Sequence, residues 1–134
     1  MTRLIASIVL IIVIVCAVAI AIGASYDHQQ SIEDYAAAQT GGGNPRTGRE
    51  LISLYGCASC HTIPGIHGAD AHVGPPLDHI AIRSYIGVGL RNNPQNMMQW
   101  IQHARDLDNH AAMPNLHINQ KDARDIAAYL YTLK

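Results

Sequence analysis

The chain has few large aromatic side chains. Its 134 residues include no phenylalanine, one tryptophan and six tyrosines. Phe and Trp rings usually supply much of the packing in a small domain, because each buries a large apolar area. Their scarcity indicates that the centre of this fold is filled either by aliphatic side chains or by something other than the chain's own rings.

An excess of positive charge is also lacking. Nine Lys and Arg residues face ten Asp and Glu residues, for a formal charge of -1. Without a basic surface, nucleic acid is excluded as an expected partner. Cysteine is scarce as well: Cys16 lies in an apolar segment, and Cys57 and Cys60 form one close pair. A single pair does not make a disulfide-stabilised scaffold.

One long apolar segment is present at residues 4–24, LIASIVLIIVIVCAVAIAIGA, and it holds no charged side chain. As a helix, its 21 residues span roughly 31 Å, close to the hydrocarbon thickness of a bilayer. Arg3 precedes the segment and Asp27 follows it, which favours a cytoplasmic N-terminus. We expect a single-pass anchor in a bacterial inner membrane, with the remaining chain on the periplasmic or outer side.

A cleaved signal peptide is the alternative, since Ala21 and Gly23 offer small residues at a suitable spacing for cleavage. The apolar segment is longer than the usual apolar core of a signal peptide, about 7–15 residues. We therefore expect the segment to be retained as an anchor, with Cys16 as a free buried thiol.

The predicted domain organisation has three parts. Residues 1–25 form the transmembrane anchor, residues 26–45 a flexible tether, and residues 46–134 a folded head. The tether is polar and contains Gly-Gly-Gly before a proline, with a short helix expected over residues 31–39. As flexible coil, such a segment spans roughly 25 Å.

The head is predicted to be all-α with long loops, because no convincing strand is visible. The first helix is expected over residues 47–55. The second starts at Asn93 as N-cap, with Pro94 in its first turn. The last begins at Asn119, and Asp122 three residues later gives a pattern similar to a capping box.

Residues 57–61 read CASCH and carry the most specific chemistry in the chain. A structural zinc site needs about four ligands, usually from two cysteine pairs, and only one pair is present. A redox dithiol is expected at a helix N-terminus in a βαβ unit, whereas this pair follows a helix. The third interpretation is covalent attachment of one haem, with Cys57 and Cys60 as thioether sites and His61 as an axial ligand of the iron. We favour this interpretation.

The iron then needs a second axial ligand, and Met113 is the leading candidate because it lies in a loop before Pro114. His110 and His117 flank it and are rival ligands, and an open sixth site is the remaining alternative. Two further methionines, at 97 and 98, are expected to be ordinary core residues because they lie on a helix. Met ligation favours ferrous iron and raises the reduction potential relative to two histidines.

The groups that orient His61 and line the haem are predicted in the turn at residues 74–77, Gly-Pro-Pro-Leu. The free ring N–H of His61 should donate to a backbone carbonyl of this turn, and Leu77 should pack on the porphyrin. Arg83 is a candidate for the haem propionates, with a solvated loop charge as the alternative. Four other histidines are expected at the surface, namely His67, His72, His79 and His103.

In order along the chain, CASCH, GPPL and a downstream Met-Pro resemble class I c-type cytochromes over about residues 48–133. The softer pattern is similar to the cytochrome c domain of haem–copper oxidase subunit II and to oxidase-associated cytochromes c. The resemblance implies a class I cytochrome c-like helical domain around one covalent haem c. The residues that it implies for haem attachment and contact are Cys57, Cys60, Pro75, Leu77, Arg83 and Trp100, and for axial ligation His61 and Met113.

The resemblance also implies a close crossing of the first and last helices of the head, at Gly48 and Tyr129. Two positions depart from the family pattern. Ile52 stands where an aromatic is usual, so a looser crossing is expected. Pro76 replaces the usual Asn or Asp, so any hydrogen bond from that side chain is absent.

The predicted function is a membrane-anchored monohaem electron carrier of a respiratory chain, not an enzyme in itself. It is expected to pass single electrons to a terminal haem–copper oxidase as an associated subunit, from a donor cytochrome or a quinol-oxidising complex. The alternatives are an electron-transfer subunit of a membrane dehydrogenase or quinol-oxidising complex, a haem peroxidase or gas-binding cytochrome, and an assembly or sensory subunit.

Overall fold

The computed structural model describes residues 2–134. The chain divides into two compact units, one up to Ile32 and one comprising Glu33–Lys134. Helix α1, Thr2–Gln39, forms the described part of the first unit and supplies the opening residues of the second.

The described part of the first unit is α1 up to Ile32, most of which is the apolar run. Its aliphatic side chains are exposed along the whole run, for example Leu4, Ile11 and Ile20. By length and composition this helix can cross a membrane, and a signal sequence near the N-terminus would pass the same test. Membrane anchoring therefore stays a prediction.

The segment that follows the apolar run differs from the predicted flexible tether. Residues 26–39 are helical and complete α1, so the short helix expected over residues 31–39 is the end of a longer one. Gly41 and Gly42 adopt positive φ angles of 72° and 90°, and the Gly42 N–H donates to the carbonyl of Ala37 at 2.8 Å. Glycine at the C-terminal end of a helix allows this turn without steric cost.

Gly43 has a packing role rather than a role in flexibility. It is buried, and a Cβ there would lie 2.7 Å from the Arg124 carbonyl oxygen and 2.8 Å from the Ala128 Cβ. The glycine triplet is therefore a packed turn against the last helix of the chain.

Helix α2, Pro45–Leu54, starts two residues before its predicted start. Asn44 is the N-cap, and its Oδ1 accepts hydrogen bonds from the N–H groups of Arg46 and Thr47 at 3.0 and 3.2 Å. Proline is favoured in the first helical turn, since it has no N–H to satisfy there.

The loop region between α2 and the next helix contains two 3-10 turns, Cys57–Ser59 and Ile80–Ile82. It also contains a small antiparallel hairpin, β1 (Tyr85–Ile86) and β2 (Leu90–Arg91), in which Tyr85 pairs with Arg91. The expectation of no strand is corrected here. Two-residue strands are too short to show an alternating pattern in the sequence.

Helices α3 (Pro94–Leu107) and α4 (Gln120–Leu130) have the predicted caps. The Asn93 side chain accepts from the Asn96 N–H at 2.8 Å. The Asn119 side chain accepts from the Asp122 N–H at 2.9 Å and donates to its carboxylate at 3.0 Å. The predicted fold class is confirmed: the described chain is mostly helical, with one long apolar helix at its N-terminal end.

Helices α2 and α4 cross in direct backbone contact. Gly48 is buried, and a Cβ there would overlap the backbone carbonyl of Asp125. Ile52 is 1% exposed and packs in the core next to this crossing. Gly48 thus brings the two backbones together beside Ile52, and the looser crossing expected at Ile52 stays a prediction.

Candidate functional site

A cavity of about 750 Å³ lies in the second unit, enclosed by the loops and helices of the head. Its walls contain all the residues that the sequence analysis favoured for cofactor attachment, contact or ligation, namely Cys57, Cys60, His61, Pro75, Leu77, Arg83, Trp100 and Met113. Residues up to 56 positions apart in the sequence thus meet at one site, as the interval from Cys57 to Met113 shows.

The two thiols are presented by the turn that follows α2. Gly56 has a positive φ of 72° and redirects the chain into the 3-10 turn at Cys57–Ser59. The N–H groups of Cys60 and His61 then donate to the carbonyl of Cys57 at 3.2 and 3.0 Å. Both thiols are free and partly buried. Burial raises the pKa of the Cys57 thiol, so this group is protonated at neutral pH.

The His61 ring is held in one orientation and one tautomer. Its Nδ1 lies 2.7 Å from the carbonyl oxygen of Pro75. A carbonyl can only accept a hydrogen bond, so Nδ1 carries the proton and the lone pair of Nε2 is free to bind a metal. This contact has the form expected from the sequence.

Gly74 fixes the ring from a second direction. Its N–H donates to the Cys60 carbonyl at 2.7 Å, and a Cβ on Gly74 would overlap the His61 ring. The Leu77 N–H donates to the Thr62 carbonyl at 2.8 Å. The turn at residues 74–77 is therefore held by backbone hydrogen bonds to Cys60 and Thr62, the two neighbours of His61 in the sequence.

Met113 lies in the loop between α3 and α4. It forms part of the cavity wall and is partly buried. The rival histidines are placed differently. The side chain of His110 is 88% exposed, with its Nδ1 3.5 Å from an oxygen of Asp108. His117 is exposed, and neither histidine is among the residues that enclose the cavity.

The two helical methionines are buried, as the sequence predicted. Met97 is 3% exposed and Met98 is 7% exposed. Met97 also forms part of the cavity wall, whereas Met98 accepts a long hydrogen bond from Gln120 at 3.6 Å.

Arg83 lies in the cavity wall, and its guanidinium group is hydrogen-bonded to the neighbouring turn. Its Nη2 donates to the carbonyl oxygens of Pro76 and Asp78 at 2.6 and 2.8 Å and lies 3.4 Å from the Asp78 carboxylate. These contacts brace the turn that holds His61, a role that the sequence did not reveal.

Sequence reasoning also missed the hairpin side of the cavity. Tyr85, Gly87 and Val88 all contribute to the wall, and the backbone of Gly87 packs on the Trp100 ring. Tyr55 is another missed wall residue. Its hydroxyl donates to the Asp122 carboxylate at 2.7 Å, and this hydrogen bond raises the pKa of Tyr55. No sequence pattern marked these residues, because their positions depend on long-range packing.

A family model described as cytochrome c matches residues 45–134, two thirds of the chain. The chain belongs to the cytochrome c family. This membership indicates electron transfer on a covalently bound haem c, which is consistent with the CASCH motif in the cavity wall. Comparisons with curated proteins and with solved structures gave no match.

The residues of this cytochrome c domain fit a haem. The cavity volume falls within the roughly 300–1,000 Å³ typical of buried small-molecule sites. Its wall is largely aliphatic and aromatic, and it also holds two free thiols, the His61 imidazole and the thioethers of Met97 and Met113. Over residues 2–134, no three His, Cys, Asp or Glu side chains come together as an ordinary metal-ion site.

Proposed function

We propose that this protein is a membrane-anchored monohaem c-type cytochrome that transfers single electrons in a respiratory chain. The observation that carries the proposal is the composition of one cavity wall. It contains Cys57, Cys60, His61 and Met113, and the Nδ1 proton of His61 is already committed to Pro75.

In this proposal Cys57 and Cys60 each hold the porphyrin through a thioether bond, and His61 binds the iron through Nε2. A bound haem supplies a ferrous–ferric couple for one-electron transfer. The protein keeps the His61 ring fixed through Pro75 and Gly74, so the proximal ligand needs no reorganisation when the charge on the iron changes.

Met113 is proposed as the second axial ligand. A thioether is a neutral and soft donor, so it favours the ferrous state and raises the reduction potential. Leu77 and Trp100 contribute apolar side chains to the cavity wall, and Arg83 lies there next to the turn that it braces.

The proposed electron acceptor is a haem–copper oxidase, with which the chain would associate as a subunit at the outer face of the inner membrane. The support is the sequence resemblance, the long apolar helix and the charge of the head. From Arg46 onward, eight basic and seven acidic residues nearly cancel. Strong electrostatic steering of a mobile partner is therefore not expected, whereas tethering raises the local concentration of a docked one.

The ligand assignment is tested with Met113→Ala, using Met98→Leu as a matched control in the core outside the cavity. Met113→Ala should retain covalent haem, lose the weak near-infrared thioether–iron band and show a lower reduction potential. Met98→Leu should keep the band. An unchanged potential in Met113→Ala would rule out Met113 as a ligand, and strong carbon monoxide binding by the native ferrous protein would favour a gas-binding role.

Haem attachment is tested with Cys57→Ser and Cys60→Ser, for which Cys16→Ser is the natural control. Each of the first two variants should lose one thioether bond and retain less haem after denaturing electrophoresis. Cys16→Ser should behave as the parent. Haem retention by a variant that combines Cys57→Ser with Cys60→Ser would contradict covalent attachment through the motif.

The partner is tested by solubilising membranes in mild detergent and purifying the intact chain. Co-purification with oxidase subunits, together with oxidation of the haem on addition of oxygen, supports the proposal. Recovery of the chain only as a free monomer would count against a stably associated subunit.

A further inference from the structure

The helical geometry of α3 is interrupted at His103, about one turn before the helix ends at Leu107. His103 has φ −138° and ψ 42°, which is outside the helical region. In an unbroken helix the N–H of Arg105 would donate to the carbonyl of Ile101, four residues earlier. The break at His103 removes that geometry and leaves the Arg105 N–H in need of another acceptor.

Asn115 supplies that acceptor from the loop that carries Met113. Its Oδ1 accepts from the Arg105 N–H at 2.9 Å, and its Nδ2 donates to the Asp106 carboxylate at 2.7 Å. The Asn115 amide therefore uses both of its ends on the displaced final turn of α3. Such a paired contact fixes position and orientation, because a slip of the loop breaks both hydrogen bonds together.

Two further contacts hold the same loop to α3. Arg105 Nε donates to the carbonyl of Ala111 at 3.3 Å, and Gln102 Nε2 donates to the carbonyl of Ile118 at 2.8 Å. Gln102 is 9% exposed, so this hydrogen bond is shielded from water. Met113 lies between the attachment at Ala111 and the attachment at Asn115.

We propose that Asn115 is a positioning residue that holds the Met113 thioether at the haem, and that the break in α3 at His103 exists to receive it. This inference rests on the proposed function, specifically on Met113 as axial ligand. The loop from residue 108 to residue 119 has no regular secondary structure, so side-chain hydrogen bonds must hold it in place. A neutral thioether binds ferric iron weakly, and a weak ligand depends on being held in place beforehand.

The test compares three variants of the full-length holoprotein in detergent. Asn115→Asp keeps the acceptor for Arg105 but sets a carboxylate oxygen against Asp106, in place of the N–H donor. Asp106→Ala removes the acceptor of Nδ2 at a side chain that is 65% exposed, so it poses little risk to folding. Adding Asp106→Asn to Asn115→Asp restores a donor and an acceptor with their direction reversed.

The readouts are the near-infrared thioether–iron band of the ferric protein and the imidazole concentration that displaces half of it. Asn115→Asp should lower that concentration about tenfold, and Asp106→Ala should lower it less, as expected for loss of one charge-assisted hydrogen bond. The double variant should return to within about threefold of the parent, since it regains that hydrogen bond. A purely structural role would change the unfolding midpoint of Asn115→Asp, alone and combined with Asp106→Asn. The imidazole concentration would then not return towards the parent value in the double variant.

Asn109→Asp is the matched control, an exposed residue in the same loop with the same chemical change. The proposal is overturned if Asn115→Asp and Asp106→Ala both keep the imidazole response of Asn109→Asp while Met113→Ala loses the band. If Met113→Ala keeps the band, the ligand assignment itself is wrong and the role of Asn115 falls with it. The two failures are thereby distinguished.

Discussion

Gly48 of α2 packs directly on the backbone carbonyl of Asp125 in α4, with no space for a Cβ atom between them. The contact joins the helix that leads into CASCH to the helix that closes the fold, so it sets the distance between two walls of the cavity. Close packing of two backbones at one glycine is rigid, because neither backbone can move aside as a flexible side chain can.

Gly48→Ala should therefore lower the free energy of unfolding by about 3 kcal/mol, the upper end of the usual range for overpacking. Denaturant unfolding of the holoprotein measures it. Ser53→Ala, at an exposed position on the same helix, should change stability by less than about 0.5 kcal/mol. Equal stability of the two variants would show that α2 and α4 can separate at little cost.

Gly74→Ala should disturb the proximal ligand rather than the fold as a whole. The added methyl group would overlap the His61 ring and weaken its hydrogen bond to Pro75. That hydrogen bond makes imidazole a better donor to ferric iron, so weakening it should raise the reduction potential by on the order of 60 mV, a tenfold change for one electron. Potentiometric titration measures this shift.

The control for that titration is Gly68→Ala. Gly68 has a positive φ of 73° but open space around it, so alanine there adds only backbone strain. It should cost stability without moving the potential. A shift of similar size in both variants would mean that His61 is not the group affected.

Asp125→Ala and Lys121→Met separate the two hydrogen bonds that the buried Asp125 carboxylate accepts. The Asp125 side chain is 5% exposed, and its oxygens accept from the Asn44 N–H and from Lys121 Nζ, both at 2.8 Å. Asp125→Ala leaves the Asn44 N–H without its acceptor and should cost about 2 kcal/mol. Lys121→Met should cost less than Asp125→Ala, because the ammonium group is largely exposed. Comparable losses in unfolding experiments would contradict this ranking.

Tyr131 should make stability fall at alkaline pH. Burial raises the pKa of Tyr131 to about 12, compared with about 10 in the unfolded chain. The folded state thus favours the neutral phenol, and this stabilisation is fully present below pH 10. It is lost as the pH rises from 10 to 12, by up to about 2–3 kcal/mol for a shift of this size.

Tyr131→Phe should flatten that part of the stability–pH curve. It should also cost about 1 kcal/mol at neutral pH, because the Tyr131 hydroxyl donates to Asn92 Oδ1 at 2.8 Å. Tyr85→Phe, at a side chain that is 59% exposed, should keep the alkaline slope of the parent. If Tyr131→Phe keeps the same slope, another group is responsible for it.

Features set by neighbouring residues could be predicted from the sequence. The caps at Asn93 and Asn119 depend on hydrogen bonds within three residues, and both are present. CASCH likewise specifies its own local geometry, and the nearby Gly-Pro turn offers the carbonyl that His61 needs.

Features set by distant contacts could not be predicted. The glycines at 41–43 resemble a linker in composition, but Gly43 is packed against Arg124 and Ala128, more than 80 positions away in the sequence. The break at His103 also has no local signal. The Asn115 side chain that accepts from the Arg105 N–H after this break comes from a loop, and it reaches Arg105 only because that loop folds back on α3.

The end of α1 has a practical consequence for any attempt to separate the head from its apolar helix. Ala36 is 0% exposed and Thr40 is 4% exposed, and Arg46 is paired with Glu33 at 2.9 Å. A protease site or gene truncation placed at residue 45 would remove Glu33, Ala36 and Thr40 and expose the surface that they cover. A soluble form should instead begin upstream of Glu33, where the chain can be cut without opening the folded head.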